Sequence, residues 1–243
     1  MIIMLNHRLT ESKIGSASVI VDIVPKGKCI PYTRINPTSI TIHQTGNVDA
    51  SAKNNHNYMK NINKSGERIA SWHVTVGHDF IIQAQPFNYK CYHAGHAVGN
   101  NGSIGIEICM YSDKDKQKKA YDNAIALVKI LMSYYNFSLN QIKRHYDWTK
   151  KHCPAWLIDC KYGYSWNWFK KQLEVKTVPS ERFLVKVICD ELNIRKEASF
   201  SSKIVDTVKK NEVYTIVETK NGLGRLLSGA GWISMGSKYV KKV

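Results

Sequence analysis

In SITIHQTG, residues 39 to 46, Ile40 and Ile42 alternate with the polar residues Ser39, Thr41 and His43. This period of two predicts a half-buried strand, with His43 at its end on the face opposite the isoleucines, just before a turn at Gly46-Asn47. The same alternation recurs in SIGIEIC, residues 103 to 109, where three isoleucines take one face and Ser103, Gly105, Glu107 and Cys109 the other. Residues 68 to 76 and 80 to 85 read as strands around the turn Gly77-His78-Asp79. Residues 51 to 64 read as a helix, although a mostly polar one. From about Asp113 to Asn136 the residues Ala120, Ala124, Leu127, Val128, Leu131 and Tyr135 recur at intervals of three and four. That spacing predicts a long amphipathic helix, capped in front by Ser112 or Asp113. A last helix, about 165 to 173, sets Trp166, Phe169 and Leu173 on one face. Strands and helices mixed in this way predict an α/β domain over residues 1 to 174.

The pattern then changes. A composition shift with Pro179-Ser180 marks a linker over residues 175 to 182. Beyond it, FLVKVIC, KIVDTV, VYTIVE and GWISMG are short alternating stretches separated by turn-rich or charged segments, which predicts a small all-β barrel over 183 to 243. A length of 243 residues with 43% hydrophobic content agrees with two packed domains. The opening MIIMLNHRLTES has too short an apolar run for a membrane span and no basic start, so the expectation is synthesis in the cytoplasm without a signal peptide. The six cysteines lack the dense spacing of a disulfide framework and are expected as reduced thiols.

The segment HYDWTKKHCP, residues 145 to 154, carries the chemistry: His145 and Cys153 stand eight positions apart, with Lys151 two before the cysteine. Imidazole and thiolate bind zinc, and two of them in one loop, joined by a third ligand, would leave a tetrahedral position open to water. His43 is the favoured third ligand, because a strand-end ring can point into a cleft. Taken alone, a histidine there is more often a surface or satisfied core residue. Two neutral imidazoles and one thiolate would leave the zinc a net charge of about +1, able to lower the pKa of a bound water to roughly 7. Hydrolysis of an amide would further need a partner for the oxyanion and a proton carrier to the departing amine. Glu107, on the strand face of small residues, can line a cleft or simply be an exposed charge. Lys151 shares a side with Cys153 if the stretch is extended, and is otherwise one more solvated lysine.

TIHQTGN, SWHVTVGHDFIIQ (71 to 83), YHAG (92 to 95), NNGSIGIEIC (100 to 109) and HYDWTKKHCP follow one another over about 110 residues. In that order they resemble a zinc-dependent N-acetylmuramoyl-L-alanine amidase of the peptidoglycan-recognition-protein-like type, as found in phage endolysins. The resemblance implies a mixed central sheet flanked by helices, one Zn2+ held by His43, His145 and Cys153, Glu107 as proton carrier and Lys151 as oxyanion partner. It also places Trp72 and His93 near the substrate, although both could simply pack. Asp147 fits loop bracing better than a fourth ligand, which would displace the reactive water. His152 points away from Cys153 in an extended stretch. Two positions depart from the family: Ala155 replaces a usual glycine, with an expected effect on turn geometry, and Gln44 stands where His or Asn is common, with an expected effect on substrate fit.

Residues 183 to 243 resemble a bacterial Src-homology-3-like domain, through the Leu-Asn-Ile-Arg segment at 192 to 195 and the closing Gly-Trp and Tyr-Val. Such domains anchor lytic enzymes to the wall. A Trp usual after the third strand is missing, where this chain reads NGLGRLL, and Trp232 and Tyr239 are candidate surface platforms, with core packing an equal reading for Trp232. Basic residues exceed acidic ones by 22 to 12 over residues 1 to 175 and by 13 to 7 over 176 to 243. Both parts are therefore basic, and without a nucleic-acid motif an anionic wall polymer is the better match than DNA or RNA. The expected partner is bacterial peptidoglycan with its anionic polymers, without membrane insertion or nucleic acid. A recognition module without catalysis is the alternative.

Overall fold

The structure is a computed structural model, and it describes residues 4 to 174 and 183 to 243. The linker expected at 175 to 182 lies outside the described residues. The chain divides into two compact units, Met1–Glu174 and Val175–Val243.

The first unit opens with a short antiparallel pair, β1 (Met4–Leu5) and β2 (Arg8–Leu9). Its main sheet has seven strands in the order β3-β4-β7-β6-β8-β5-β9. These are β3 (Lys13–Ile14), β4 (Ala17–Val21), β5 (Ser39–Val48), β6 (Val74–Val76), β7 (Phe80–Gln83), β8 (Ser103–Met110) and β9 (Ile142–Arg144). β5 pairs in parallel with both β8 and β9, β6 with β8, and β4 with β7, whereas β6 and β7 form an antiparallel hairpin, so the sheet is mixed. Ile40, Ile42, Ile104, Ile106 and Ile108 are all buried in the core on one face. On that core packs α3 (Lys114–Tyr135) through Ala120, Tyr121, Ala124, Leu127, Val128 and Leu131. Asp113 caps this helix, its carboxylate accepting from the amides of Asp115 and Lys116, and Asn136 ends it in the left-handed region. The helix α1 (Ala52–Ser65), capped by Ser51, buries Ala52, Met59 and Ile62 although most of its residues are polar. The remaining helices are α2 (Ala97–Gly102), α4 (His145–Thr149), α5 (Ala155–Ile158) and α6 (Trp166–Leu173).

Several expectations need correction. The strand read over 68 to 76 begins only at Val74, because the residues before it bond to loops: the Ser71 amide donates to the Tyr92 carbonyl and its hydroxyl to the Cys29 carbonyl. No turn falls at Gly46-Asn47. β5 continues through a bulge there, with Gly46 at φ 69°, and the left-handed turn residue is Asp49. HYDWTKKHCP is not one extended loop either. Its first half is α4, and the Cys153 amide donates to the Lys151 carbonyl at 2.7 Å in a tight turn. Ala155 begins α5, so the turn after Cys153-Pro154 needs no glycine.

The second unit is one antiparallel sheet of seven strands. They are β10 (Phe183–Val187), β11 (Glu191–Arg195), β12 (Ile204–Lys209), β13 (Val213–Lys220), β14 (Leu223–Leu226), β15 (Trp232–Ser234) and β16 (Val240–Lys242), in the order β12-β11-β15-β14-β13-β10-β16. Alternate residues, among them Val185, Val187, Leu192, Ile194, Ile216 and Ile233, form its core. The segment NGLGRLL makes the β13–β14 hairpin: Asn221 and Gly222 both have positive φ, which suits the twist of a two-residue hairpin turn. Trp232 and Tyr239 are half-buried, and Tyr239 packs against the core. Among the described residues no helix is long and apolar enough to cross a membrane.

Candidate metal centre and cleft

On the face of β5 away from the isoleucines, His43 stands beside Glu107, its register partner on β8. His145, at the start of α4, and Cys153, in the turn after it, reach the same point. One donor atom from each of His43, His145 and Cys153 lies within 4.8 Å of the others, and all three residues are buried. His43 Nδ1 is 3.1 Å from His145 Nδ1 and 3.9 Å from Cys153 Sγ. Around a tetrahedral zinc, the usual bond lengths put two nitrogens about 3.3 Å apart and a nitrogen and a sulfur about 3.6 Å apart. The two separations from His43 are close to these values, and the third pair, His145 and Cys153, lies within 4.8 Å.

Electrostatics agree with that fit. Burial lowers His43 well below the ordinary histidine value, helped by His93, His145 and Lys151, and lowers His145 to about 4 with Lys151 assisting. Both rings are thus neutral at neutral pH, as ligands must be. Burial, with Glu107 adding to it, pushes the Cys153 thiol up to about 12, so a thiolate there requires a cation beside it.

The cluster forms the floor of a cleft of about 430 Å³ whose lining includes Glu107, Lys151, Trp72 and His93. Glu107 is half-buried, but its Oε2 is shut off from solvent and has no hydrogen-bond partner. Desolvation raises its carboxyl to about 7, against the pull of Lys151 and Arg68. Trp72 is buried with Val24, Ile30, Met59 and Ala84, donates its indole N–H to Thr75 Oγ1 at 2.7 Å, and also lines the cleft. His93 lies behind His43, its Nδ1 3.0 Å from His43 Nε2 and its Nε2 3.1 Å from the Ser103 carbonyl oxygen. Both ring nitrogens of His93 thus have partners within the protein.

Other expected residues fall outside the cluster. Asp147 accepts from the Arg144 guanidinium and backbone amide, bracing the start of α4. His152 is exposed and pairs with Asp159. Cys91 and Cys109 are buried and do not line the cleft, although the Cys109 sulfur contacts the cleft residue Asn55. Gln44 lines the cleft, yet its amide is occupied at both ends: Oε1 accepts from the Trp156 amide and Nε2 donates to the Tyr121 hydroxyl. It ties the segment after Cys153 to α3. Gln44→Leu should cost about 1–3 kcal/mol in urea unfolding, because it strands the Trp156 donor and the Tyr121 hydroxyl.

Arg68, Tyr58 and Asn100 also line the cleft and were not legible in the sequence. Arg68 is one of 35 basic residues, and only the fold brings it opposite Glu107. Asn100 accepts at Oδ1 from the His93 and Ala94 amides and so shapes the YHAG segment.

The mixed sheet and this cleft are those of an amidase catalytic domain. The catalytic domain of XlyA superimposes with a TM-score of 0.57 at 37% identity, covering 65% of this chain and 99% of that one. PlyL does so with a TM-score of 0.57 at 32% identity, over 66% and 99%. The family described as N-acetylmuramoyl-L-alanine amidase matches residues 33 to 156, just over half of the chain, and the chain belongs to it. Among curated relatives, the amidase XlyA of Bacillus subtilis (strain 168) is 39% identical over 158 residues, which are 63% of this chain and 50% of XlyA. The amidase CwlH of the same organism is 38% identical over 154 residues, 61% of this chain and 58% of CwlH. The chain thus spans about half the length of the curated relatives it matches.

Proposed function

We propose that this protein hydrolyses the amide bond between N-acetylmuramic acid and the L-alanine of the stem peptide in bacterial peptidoglycan, using one zinc ion held by His43, His145 and Cys153. The observation that carries the reading is the meeting of these three donors within 4.8 Å beside a carboxylate with a buried, unpartnered oxygen. Zinc bound there would supply a water that ionises near neutral pH and a Lewis acid for the amide carbonyl. The side chains supply the rest. Glu107, with a carboxyl raised to about 7, accepts the proton of the attacking water and returns it to the departing nitrogen. Lys151, on the cleft wall, holds its ammonium toward the charge that develops on the carbonyl oxygen. A module that only binds peptidoglycan would gain nothing from a carboxylate kept unpartnered beside three metal donors.

The second unit, on this reading, is a bacterial Src-homology-3-like barrel that anchors the enzyme to the wall. Its support is the single core enclosed by seven antiparallel strands. The positive charge of both parts favours an anionic polymer surface, and wall association should weaken with salt. The site of action is then the cell wall.

Mass spectrometry of digested peptidoglycan tests the reaction. New free amino termini on L-alanine are expected. New reducing sugar ends in their place would make the protein a glycosidase and end the reading.

A further inference from the structure

Behind the metal donors the structure places a row of buried imidazoles. His43 contacts His145 on one side and His93 on the other, with ring centroids 4.8 and 5.1 Å apart, and His93 in turn meets His73 edge to face at 5.9 Å. His93 is held on two sides. Its Nε2 lies 3.1 Å from the Ser103 carbonyl oxygen, and a Cβ on Gly105 would stand only 2.6 Å from its Cγ. Gly105 is therefore the space into which the His93 ring fits. The Ser103 hydroxyl also lies 3.4 Å from Nε2, but it has a much shorter bond to Thr41 Oγ1 at 2.6 Å. The nearer Ser103 carbonyl can only accept, so the geometry favours the proton on His93 Nε2, and in a neutral ring its Nδ1 is then an acceptor. The group facing that acceptor is His43 Nε2, 3.0 Å away.

We propose that His93 is a positioning residue for the metal centre: it accepts the Nε2 proton of His43 and so holds His43 in the tautomer that presents the Nδ1 lone pair to the metal. The opposite tautomer would set the lone pair of His93 against the Ser103 carbonyl and turn a proton of His43 toward His145 and Cys153. The chain from Ser103 through His93 to His43 links a β8 carbonyl to a ligand on β5 and does for His43 what a carboxylate or carbonyl does for many metal-bound histidines. This inference rests on the metal reading of the cluster.

The test compares zinc affinity, by chelator competition on the full chain, for the wild type, His93→Phe and His93→Asn. Phenylalanine fills the volume without an acceptor, whereas the asparagine Oδ1 stands where Nδ1 stood. The phenylalanine variant should bind zinc about 10- to 100-fold more weakly, with asparagine restoring most of the loss. Gly105→Ala, which displaces the ring, should resemble the phenylalanine variant. In the nitrogen-labelled, zinc-loaded wild type, a scalar coupling between His43 Nε2 and His93 Nδ1 across their shared proton is expected, a signature that mere packing does not produce. Equal affinity of the wild type and His93→Phe, equal losses in both His93 variants, or a proton on His93 Nδ1 would overturn the proposal. A wild type that binds no zinc would overturn the metal reading along with it.

Discussion

Cys153→Ser protein should retain less than one-tenth of the zinc of the wild type after dialysis, and should digest peptidoglycan at least about a thousandfold more slowly, a loss of about 4 kcal/mol of transition-state stabilisation. Cys153 is the one donor of the three that can bring negative charge to the site. Its thiol, held up to about 12 by burial, ionises only with a cation beside it, and a serine hydroxyl in the same place stays protonated. Two neutral imidazoles then remain, with neither the charge nor the third bond that retain zinc against dilution. The substitution is nearly isosteric at a buried position, so far-UV circular dichroism should be unchanged. Metal content by atomic absorption and turbidity loss of wall suspensions read the two effects. Full lytic activity in this variant would remove zinc from the reaction.

Glu107→Gln should lower the hydrolytic rate by about 10²- to 10⁴-fold with zinc still bound, because the amide can neither accept nor return a proton. The same change should make the metal-free protein more stable at alkaline pH. Burial raises the Glu107 carboxyl from 4.5 to about 7. Below about pH 4.5 the group is protonated in both the folded and the unfolded chain, and its contribution to stability is fully present. Between about 4.5 and about 7 the unfolded chain releases the proton first, so stability falls as pH rises, by about 3 kcal/mol once the folded group has also ionised. Glutamine does not titrate. Urea unfolding with chelator present should find the two proteins alike at pH 4.5 and the variant more stable at pH 8. Parallel pH profiles would show that the carboxylate is solvated after all.

The residues of this site were legible through two signals, strand alternation for His43 and Glu107 and the spacing within HYDWTKKHCP for His145, Lys151 and Cys153. Alternation in β5 and β8 separates the isoleucines from His43 and Glu107, and period two maps directly onto the faces of a strand. The long helix and its Asp113 cap follow in the same way from spacing and a short polar side chain. By contrast, β1 to β3 and β9 have only two or three residues each, too few for a period to show. The tight turn between Lys151 and Cys153 arises from backbone bonding that residue types do not announce. Arg68 and Asn100 reach the cleft through long-range packing, and the positions of His93 and Gln44 depend on which partners their nitrogens and oxygens find. Those partners, Ser103 and Tyr121 among them, lie on other elements, so only the assembled sheet and helix reveal what these side chains do.

The parallel pairing of β5 with β8 sets His43 directly across from Glu107. Neighbouring strands keep a spacing of about 4.8 Å, fixed by backbone hydrogen bonds whatever the side chains are. The backbone spacing between the proposed metal donor His43 and the proposed proton carrier Glu107 is thus set by the sheet and not by the lengths of the loops around it. Sequence drift in those loops can re-shape the cleft for other walls without moving that pair. A one-residue slip in either strand, however, would turn one of the two into the isoleucine core and end the chemistry in a single step.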